Sequence, residues 1–373
     1  MGKVNRRDKN QETGEKERSK TKKIILIVLV VLLSVLLLAV GAVFLVLNRY
    51  YGMMHYVPRG EMTVPPGETT AVWWETDPPE SGETQTDSPA SDITSLDVNV
   101  SSNVNDEQDP FQSEEVTNIL LIGIDSRFES LSGRSDVNLI LSINRKTHTI
   151  TLTSILRDCY VYIPGRGNNR INASYAFGRA DLLIRTIEEN FNVFIDRYAL
   201  VNFTGFQEVV DTVGGLTITV NQAESDLIRN YIKISPVSES GGQYTYHMNG
   251  QQALSYVRNR KSSSSDFGRT NRQQAAIRAL MDQARQMSIS ELNAMLEKLL
   301  PLITTDLTRA DLLSLLASAP TYLSYEVQSL QIPVSGGYTN MRVNGAQVLG
   351  LDFEMNKNAI FSTIYGIEYS IEN

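Results

Sequence analysis

Residues 118–158 read NILLIGIDSRFESLSGRSDVNLILSINRKTHTITLTSILRD, three apolar runs that each lead into charge. Runs 119–124, 137–143 and 150–156 are rich in Ile, Leu and Val and broken by Gly, Ser and Asn. They have the length and composition of strands in a sheet covered on both faces. At or beside their ends stand Asp125 and Arg127, Arg134 and Asp136, and Arg157 and Asp158. Adjacent strand ends gather these groups on one rim, where open α/β sheets carry their ligands. Carboxylates hold Mg²⁺ and guanidiniums fork onto phosphate oxygens, so the mixture of signs points to a metal and a phosphate together. Taken singly, Asp125 and Asp136 are also ordinary turn formers at strand ends.

Beyond this stretch, strands and helices interleave. Residues 160–176 read as a Gly-, Pro- and Asn-marked loop, 181–190 as a crossover helix, and 198–203 and 216–220 as strands flanking a helix at 206–213. Residues 235–249 read as loop. Helices follow at 250–258, 271–286, 290–299 (capped by Ser290) and 310–316. The pattern closes with strands at 327–332 and 347–354 and a short helix near 358–365. The expected class is α/β, a central, mostly buried mixed sheet flanked by helices.

The net charge of −8 hides a segregation. Residues 3–23 hold nine Lys/Arg against four acids, and no Lys or Arg lies between Arg59 and Arg127. Residues 24–47 form an uncharged apolar run which, at ~1.5 Å per residue, spans roughly 36 Å as a helix, enough to cross a bilayer core. Its length and the lack of a small-x-small cleavage site make it an anchor that stays. The basic residues before it place the N-terminus, 1–23, in the cytoplasm and the bulk outside the cell membrane. Residues 48–115, rich in Thr, Ser, Pro, Asp and Glu, read as a disordered acidic tether, and 116–373 as the folded body. With Cys159 the single cysteine, no intramolecular disulfide forms. Its thiol reads as structural and buried, and no nearby His supports a nucleophile.

A second dense cluster, YVRNRKSSSSDFGRTNRQ at 256–273, holds Arg258, Arg260, Lys261, Arg269 and Arg272 against Asp266. Charge runs are usually solvated faces. Here the preference for Arg over Lys, the Ser-rich loop between two helices and the acidity of the rest favour a phosphate site. Each desolvated guanidinium–phosphate contact contributes ~1.5–3 kcal/mol, so three or four would hold a pyrophosphate. The isolated His55, His148 and His247 supply neither a zinc site nor a Ser-His-Asp triad, and no GxxxxGK[ST] or strand-following GxGxxG is present. The acidic tether and the location outside the membrane disfavour nucleic acid as a partner.

In order and spacing, NILLIGIDSR, GRSDVNLILSIN, TSILRD, RINASYAFG, VNFTGF, VDTVGG, ALSYVRNR and DFGRTNRQ resemble the LytR-CpsA-Psr family of wall-polymer ligases. Ser174 and Arg179 stand where that family more often has Ala and Gly. The resemblance implies an α/β/α sandwich behind one transmembrane helix. It implies transfer of a polymer from a polyprenyl-pyrophosphate carrier to a muramic-acid hydroxyl of peptidoglycan, as a phosphodiester. Teichoic acid, capsule polysaccharide and other wall glycans all fit. On the family pattern Asp125 and Asp136 hold Mg²⁺, and Arg134, Arg157, Arg258 and Arg260 grip the phosphates. Arg269, Arg272 and Gln273 are further contacts, and Arg170 stands where a Lys is common. The acceptor hydroxyl needs a base, Asp125 or Asp158, and the prenyl chain needs an apolar slot near 177–187 and 203–213. A non-catalytic wall or lipid-carrier binding protein with a regulatory role, and a lipid pyrophosphatase, are the other readings of the same residues.

Overall fold

The computed structural model describes residues 45–62, 64, 91–92, 109–124, 131–259 and 265–369. The chain divides into two units, Met1–Gly52 and Met53–Asn373. In the first, residues 45–51 are helical, and residues 24–44 of the expected anchor lie outside the described residues. Among the described residues no helix is long and apolar enough to cross a membrane.

The second unit is built on a mixed sheet of seven strands among the described residues. Val116–Ile124, Ser135–Asn144 and Thr149–Ile155 form an antiparallel meander at its centre, matching the three apolar runs. Glu326–Ile332 joins one side in parallel, and Arg197–Asn202 joins the other, also in parallel. Thr304–Thr305 and then His55–Tyr56 complete that second side.

Strand periodicity sends successive residues to opposite faces. Leu120, Ile122, Ile124 and Ile140 meet Leu183, Ile184 and Ile187 of helix Ile171–Phe191 and Ile360 and Phe361 of helix Phe353–Ile364. The alternate residues Leu121, Val137, Leu139 and Leu141 face Ile277 and Met281 of helix Ser265–Ala284 and Leu315 of helix Arg309–Tyr322. Both faces are covered by helices, as expected for the α/β class. The apolar runs are continuous because each strand is buried on both sides.

Several boundaries move. The expected loop at 160–176 holds the hairpin Cys159–Ile163 and Gly167–Arg170, followed at once by helix Ile171–Phe191. The expected loop at 235–249 contains Ser238–Ser240 and Gln243–Met248, paired in a small sheet with Leu216–Val220. Tyr338–Val343, unread in the sequence, pairs with Ala346–Leu351. Helix Ile289–Leu299 is capped by Ser288 in a reciprocal box with Glu291, not by Ser290. The expected tether at 48–115 also needs correction, because residues 53–62 and 109–115 belong to the body. Met54 and Met62 are buried, and Phe111 bridges to Val193.

Candidate active site

The antiparallel meander explains why charges far apart in sequence share one rim. The first strand ends at Ile124, the second begins at Ser135 and the third ends at Ile155, so end, start and end fall on the same edge. A bulge between Gly123 and Ile124 breaks the pairing there. Gly123 is required by close approach: a Cβ on it would lie 2.8 Å from Val137 Cβ. The Val137 strand is thereby drawn in, one residue from Asp136.

Arg157, 7% exposed, is the hub of the rim. Its Nη1 donates to Asp136 Oδ1 at 3.0 Å, and its Nε lies 3.5 Å from Asp158 Oδ2 and 3.8 Å from Asp266 Oδ1. Arg269 closes on Asp266 at 2.7 Å, and Arg170 Nε lies 3.3 Å from Asp158 Oδ1. Asp266 and Arg269 arrive on helix Ser265–Ala284, which begins six residues earlier than its Asn271 start in the sequence reading. The three carboxylates and three guanidiniums balance formally. Burial raises the Asp158 carboxyl; Arg157 and Arg170 pull it down while Asp266, which shares a hydrogen bond with it, pushes it up. The result is a value of about 6.

Beside this network opens a cavity of about 710 Å³. Its walls are mainly apolar, with Leu121, Val137, Val201, Phe206, Leu254 and Ile277 among them, and its polar lining includes Asp136, Arg258, Arg269 and Gln273. Asn202 caps helix Phe203–Thr212 by accepting from Gly205 N, which fixes the helix that supplies Phe203, Phe206 and Val209 to the wall. The Arg258 guanidinium stacks 4.2 Å over the Phe203 ring, a cation–π contact between the apolar wall and the charges. A long apolar chain with an anionic head matches this combination of lining groups.

The expected site residues separate into groups. Asp136, Arg157, Asp158, Arg170 and Arg269 join one network; Arg258 and Gln273 line the cavity with Asp136 and Arg269. Arg170 also donates to the Gln347 carbonyl, at 3.2 Å from Nε and 2.9 Å from Nη2. Arg134 is half-buried immediately before the second strand. Arg272, 1% exposed, is turned to Glu224, with Nη1 3.0 Å from Oε1, and donates to the Asn259 carbonyl. That pairing gives Arg272 a structural role. Asp125 and Arg260 lie outside the described residues. Of the slot residues expected, 203–213 supply cavity wall, whereas Phe177, Leu183, Ile184 and Ile187 are core on the opposite face. Asp266, read as the lone acid of a basic run, is a full member of the network. Its i,i+3 spacing to Arg269 was the signal available.

Among the described residues no cluster of three or more His, Cys, Asp or Glu side chains forms a cation site. The donor set nevertheless suits Mg²⁺ bound with a phosphate, which needs one or two carboxylates and takes its other oxygens from phosphate and water. Asp136, whose side chain is 16% exposed at the cavity, offers that carboxylate.

Residues 81–361 match the LytR_cpsA_psr family. The chain belongs to the LytR_cpsA_psr family. A relative in Oceanobacillus iheyensis, the polyisoprenyl-teichoic acid–peptidoglycan teichoic acid transferase TagU, is 40% identical over 216 residues, 56% of this chain. The match covers 64% of that relative, a little under two thirds of its length. The solved structure of TagT bound to LI-WTA aligns with TM-score 0.55 at 28% identity, over 68% of this chain and 92% of that one. The LytR-CPS2A-psr family protein YwtF (TagT) with bound octaprenyl pyrophosphate lipid aligns with TM-score 0.52 at 25% identity, over 71% and 97%. The mixed sheet flanked by helices is the part of the fold that these solved structures share with this chain.

Proposed function

We propose that the chain is a membrane-anchored, Mg²⁺-dependent phosphotransferase whose body lies outside the cell membrane. It moves a glycan polymer, teichoic acid being the first candidate, from a polyprenyl-pyrophosphate carrier to a muramic-acid hydroxyl of peptidoglycan. The observation that carries this reading is the apolar cavity whose lining also presents Asp136, Arg258, Arg269 and Gln273. The names of the relatives, and the prenyl pyrophosphate in one similar structure, support it.

The charge balance of the rim bears on how a donor binds. Arg157 and Arg269 are already neutralised by Asp136, Asp158 and Asp266. An anion that took these guanidiniums alone would strand three part-buried carboxylates, at a cost below the ~3–5 kcal/mol of a fully buried broken pair. A pyrophosphate bound together with a divalent cation would keep the site neutral: Arg157, Arg258 and Arg269 would take phosphate oxygens, and Asp136 with Asp125 would hold Mg²⁺. When bound, the cation neutralises charge developing on the phosphoryl oxygens.

In the reaction the acceptor oxygen bonds to the phosphorus carrying the glycan, and the bond from that phosphorus to the bridging oxygen breaks. Prenyl phosphate leaves with the electron pair. Arg157 and Arg269 face the growing charge on that leaving group. The acceptor's proton goes to a carboxylate, for which Asp158 is well tuned: near neutral pH it is ionised, yet basic enough to hold a proton. Asp125 is the other candidate base.

The test uses the full chain in lipid vesicles with a short lipid-pyrophosphate oligosaccharide and nascent peptidoglycan, with and without Mg²⁺. Mass spectrometry follows prenyl phosphate and glycan joined to the wall polymer. Both products are expected, dependent on metal and lost in Arg157→Ala and Asp136→Ala. Prenyl phosphate without joined glycan would instead identify a pyrophosphatase. Tight lipid retention with neither product would identify a binding protein.

A further inference from the structure

We propose that a buried hydration site, centred on the Asn138 amide, backs the Asp136–Arg157 pair on the face of the sheet turned away from the cavity, and that its water holds the pair in position for phosphate. The phosphate part of this inference rests on the function proposed above; the hydration site itself does not.

The bulge beside Gly123 gathers the residues of this site on one face. Ile122 and Ile124 stand two apart on the first strand, and both pack in the core that helix Ile171–Phe191 covers. Their partners on the second strand are Asn138 and Ser135, because the register slips by one residue and leaves Asp136 as the extra one. Without that slip Ser135 would point to the cavity face. The third strand adds Thr153, which pairs with Ile140 and so lies diagonal to Asn138 on the same face, at roughly 7 Å. Leu139 pairs with Ser154, so Asn138 stands across from Ile155. Next toward the rim on that line come Asp136 and Arg157, joined at 3.0 Å.

These side chains are buried, Asn138 to 2% exposure, and among the described residues their polar atoms find no hydrogen-bond partner: Asn138 Oδ1 and Nδ2, Ser135 Oγ and Thr153 Oγ1. The covering helix brings Asn172 Oδ1 as a fifth such atom. Its first turn is tied to the rim by Asn172 N, 3.4 Å from the Arg157 carbonyl. Elsewhere on the same strands the protein pairs what it buries. Asn144 donates to the Ile364 carbonyl at 2.9 Å, and Thr151 accepts from Gln328 at 2.9 Å. Ser142 Oγ, midway along, is unpaired like the group behind the rim.

A buried amide with neither end paired is strongly unfavourable in a dry apolar layer, and bound water is the usual remedy. Water needs several polar partners, and this group offers them in a workable mixture. Asn138 donates through Nδ2, Asn138 Oδ1 and Asn172 Oδ1 accept, and each hydroxyl does either. The place gives the water its use. On the proposed function Arg157 yields part of its contact with Asp136 to the phosphate. A polar layer directly behind the pair stabilises the carboxylate that is left, where an apolar one would penalise it. Asn138 is thereby a positioning residue, acting on Asp136 and Arg157 through water and touching neither donor nor acceptor.

The first test is a crystal structure of the full chain in a lipidic mesophase, at a resolution that shows water. At least one water is expected within about 3.2 Å of an Asn138 amide atom and of Ser135 Oγ or Thr153 Oγ1. An Asn138 amide bonded directly to protein groups, or a dry one, would overturn the site. The second test is isothermal titration of the full chain with inorganic pyrophosphate and Mg²⁺. Asn138→Leu, close to Asn in shape, is expected to weaken binding about tenfold. Ser142→Ala removes an unpaired hydroxyl on the order of 20 Å along the strand from Asp136 and should leave binding within about twofold. Unchanged binding in Asn138→Leu, or equal losses in the two variants, would overturn the positioning role. Should Asn138→Leu fail to fold, Thr153→Val keeps the shape and removes one partner of the water, and a loss of about threefold is expected in its place; no loss would overturn the role. If the parent binds no pyrophosphate, the functional proposal fails and the crystal structure still decides the hydration site.

Discussion

Asp158 sits among Arg157, Arg170 and Asp266, whose fields oppose one another, and burial tips its carboxyl upward to about 6. The sign of the stability effect follows. The folded state holds the proton more tightly than the unfolded chain, where the value is 3.8, so this group's contribution is fully present below pH 4 and is lost as pH rises through 6. Asp158→Asn removes that component. The stability of the variant relative to the parent should rise between pH 4 and 7 by on the order of 2–3 kcal/mol, read from thermal melts across that range. A difference that stays flat or falls with pH would show that Asp158 is not held protonated by the fold. Arg272 makes the contrasting case. Its guanidinium is spent on Glu224 and the Asn259 carbonyl, so Arg272→Met should cost about 2–3 kcal/mol of stability, the partly exposed Glu224 limiting the loss. Donor affinity at the Asp136 rim should change by less than about twofold; a tenfold loss by isothermal titration would return Arg272 to the site. Spacing alone shows that arginines are gathered at 256–273. It does not show which of them an acid on a distant helix has taken, and that is why Arg269 and Arg272 looked alike in sequence.

At the scale of elements, legibility follows burial. The three meander strands were readable because both faces are covered, leaving long uninterrupted apolar runs. Gln243–Met248 does alternate, with Tyr246 and Met248 buried and the residues between them facing out, but the period is only six residues long and follows a Ser- and Gly-rich stretch that reads as loop. Gly167–Arg170 contains no apolar residue, and pairing alone makes it a strand. Helix Ser265–Ala284 begins inside a Ser- and Gly-rich stretch that reads as loop, and its first turns carry Asp266 and Arg269. Helix Phe203–Thr212 supports a prediction at this scale, because its Phe206 and Val209 line the cavity while Val210 packs in a separate core. Val209→Trp adds bulk to the cavity and leaves that core alone. It should weaken binding of a long-prenyl pyrophosphate about tenfold or more and of inorganic pyrophosphate hardly at all, measured by competition on the full chain. Equal loss for both ligands would mean that the helix serves the phosphates and not the apolar chain.

For the whole molecule, composition misplaced the body's N-terminal boundary: residues 53–62 form a strap held on the sheet through His55, Val57 and Arg59. A two-residue strand such as His55–Tyr56 has no period to detect, and the acceptors of its hydrogen bonds lie some 250 residues away in sequence. Arg59 gives no hint either, since a single cation before an acidic run is unremarkable until Asp306 and Glu188 are brought to it by the fold. The consequence is measurable by truncation. A chain beginning at Met53 keeps the strap, the Arg59 pairs and both buried methionines; one beginning at Thr63 loses them all. Burial of each methionine contributes ~1.5–3 kcal/mol, offset in part by the ordering of the strap backbone. The net loss should be about 3 kcal/mol, lowering the melting temperature by roughly 5–10 °C for a body of this size. Differential scanning calorimetry of the two truncated chains decides it. Identical melts would mean that the strap rests on the sheet without supporting it. A lower melt for the shorter chain would place the start of the folded body at residue 53, ahead of the acidic segment.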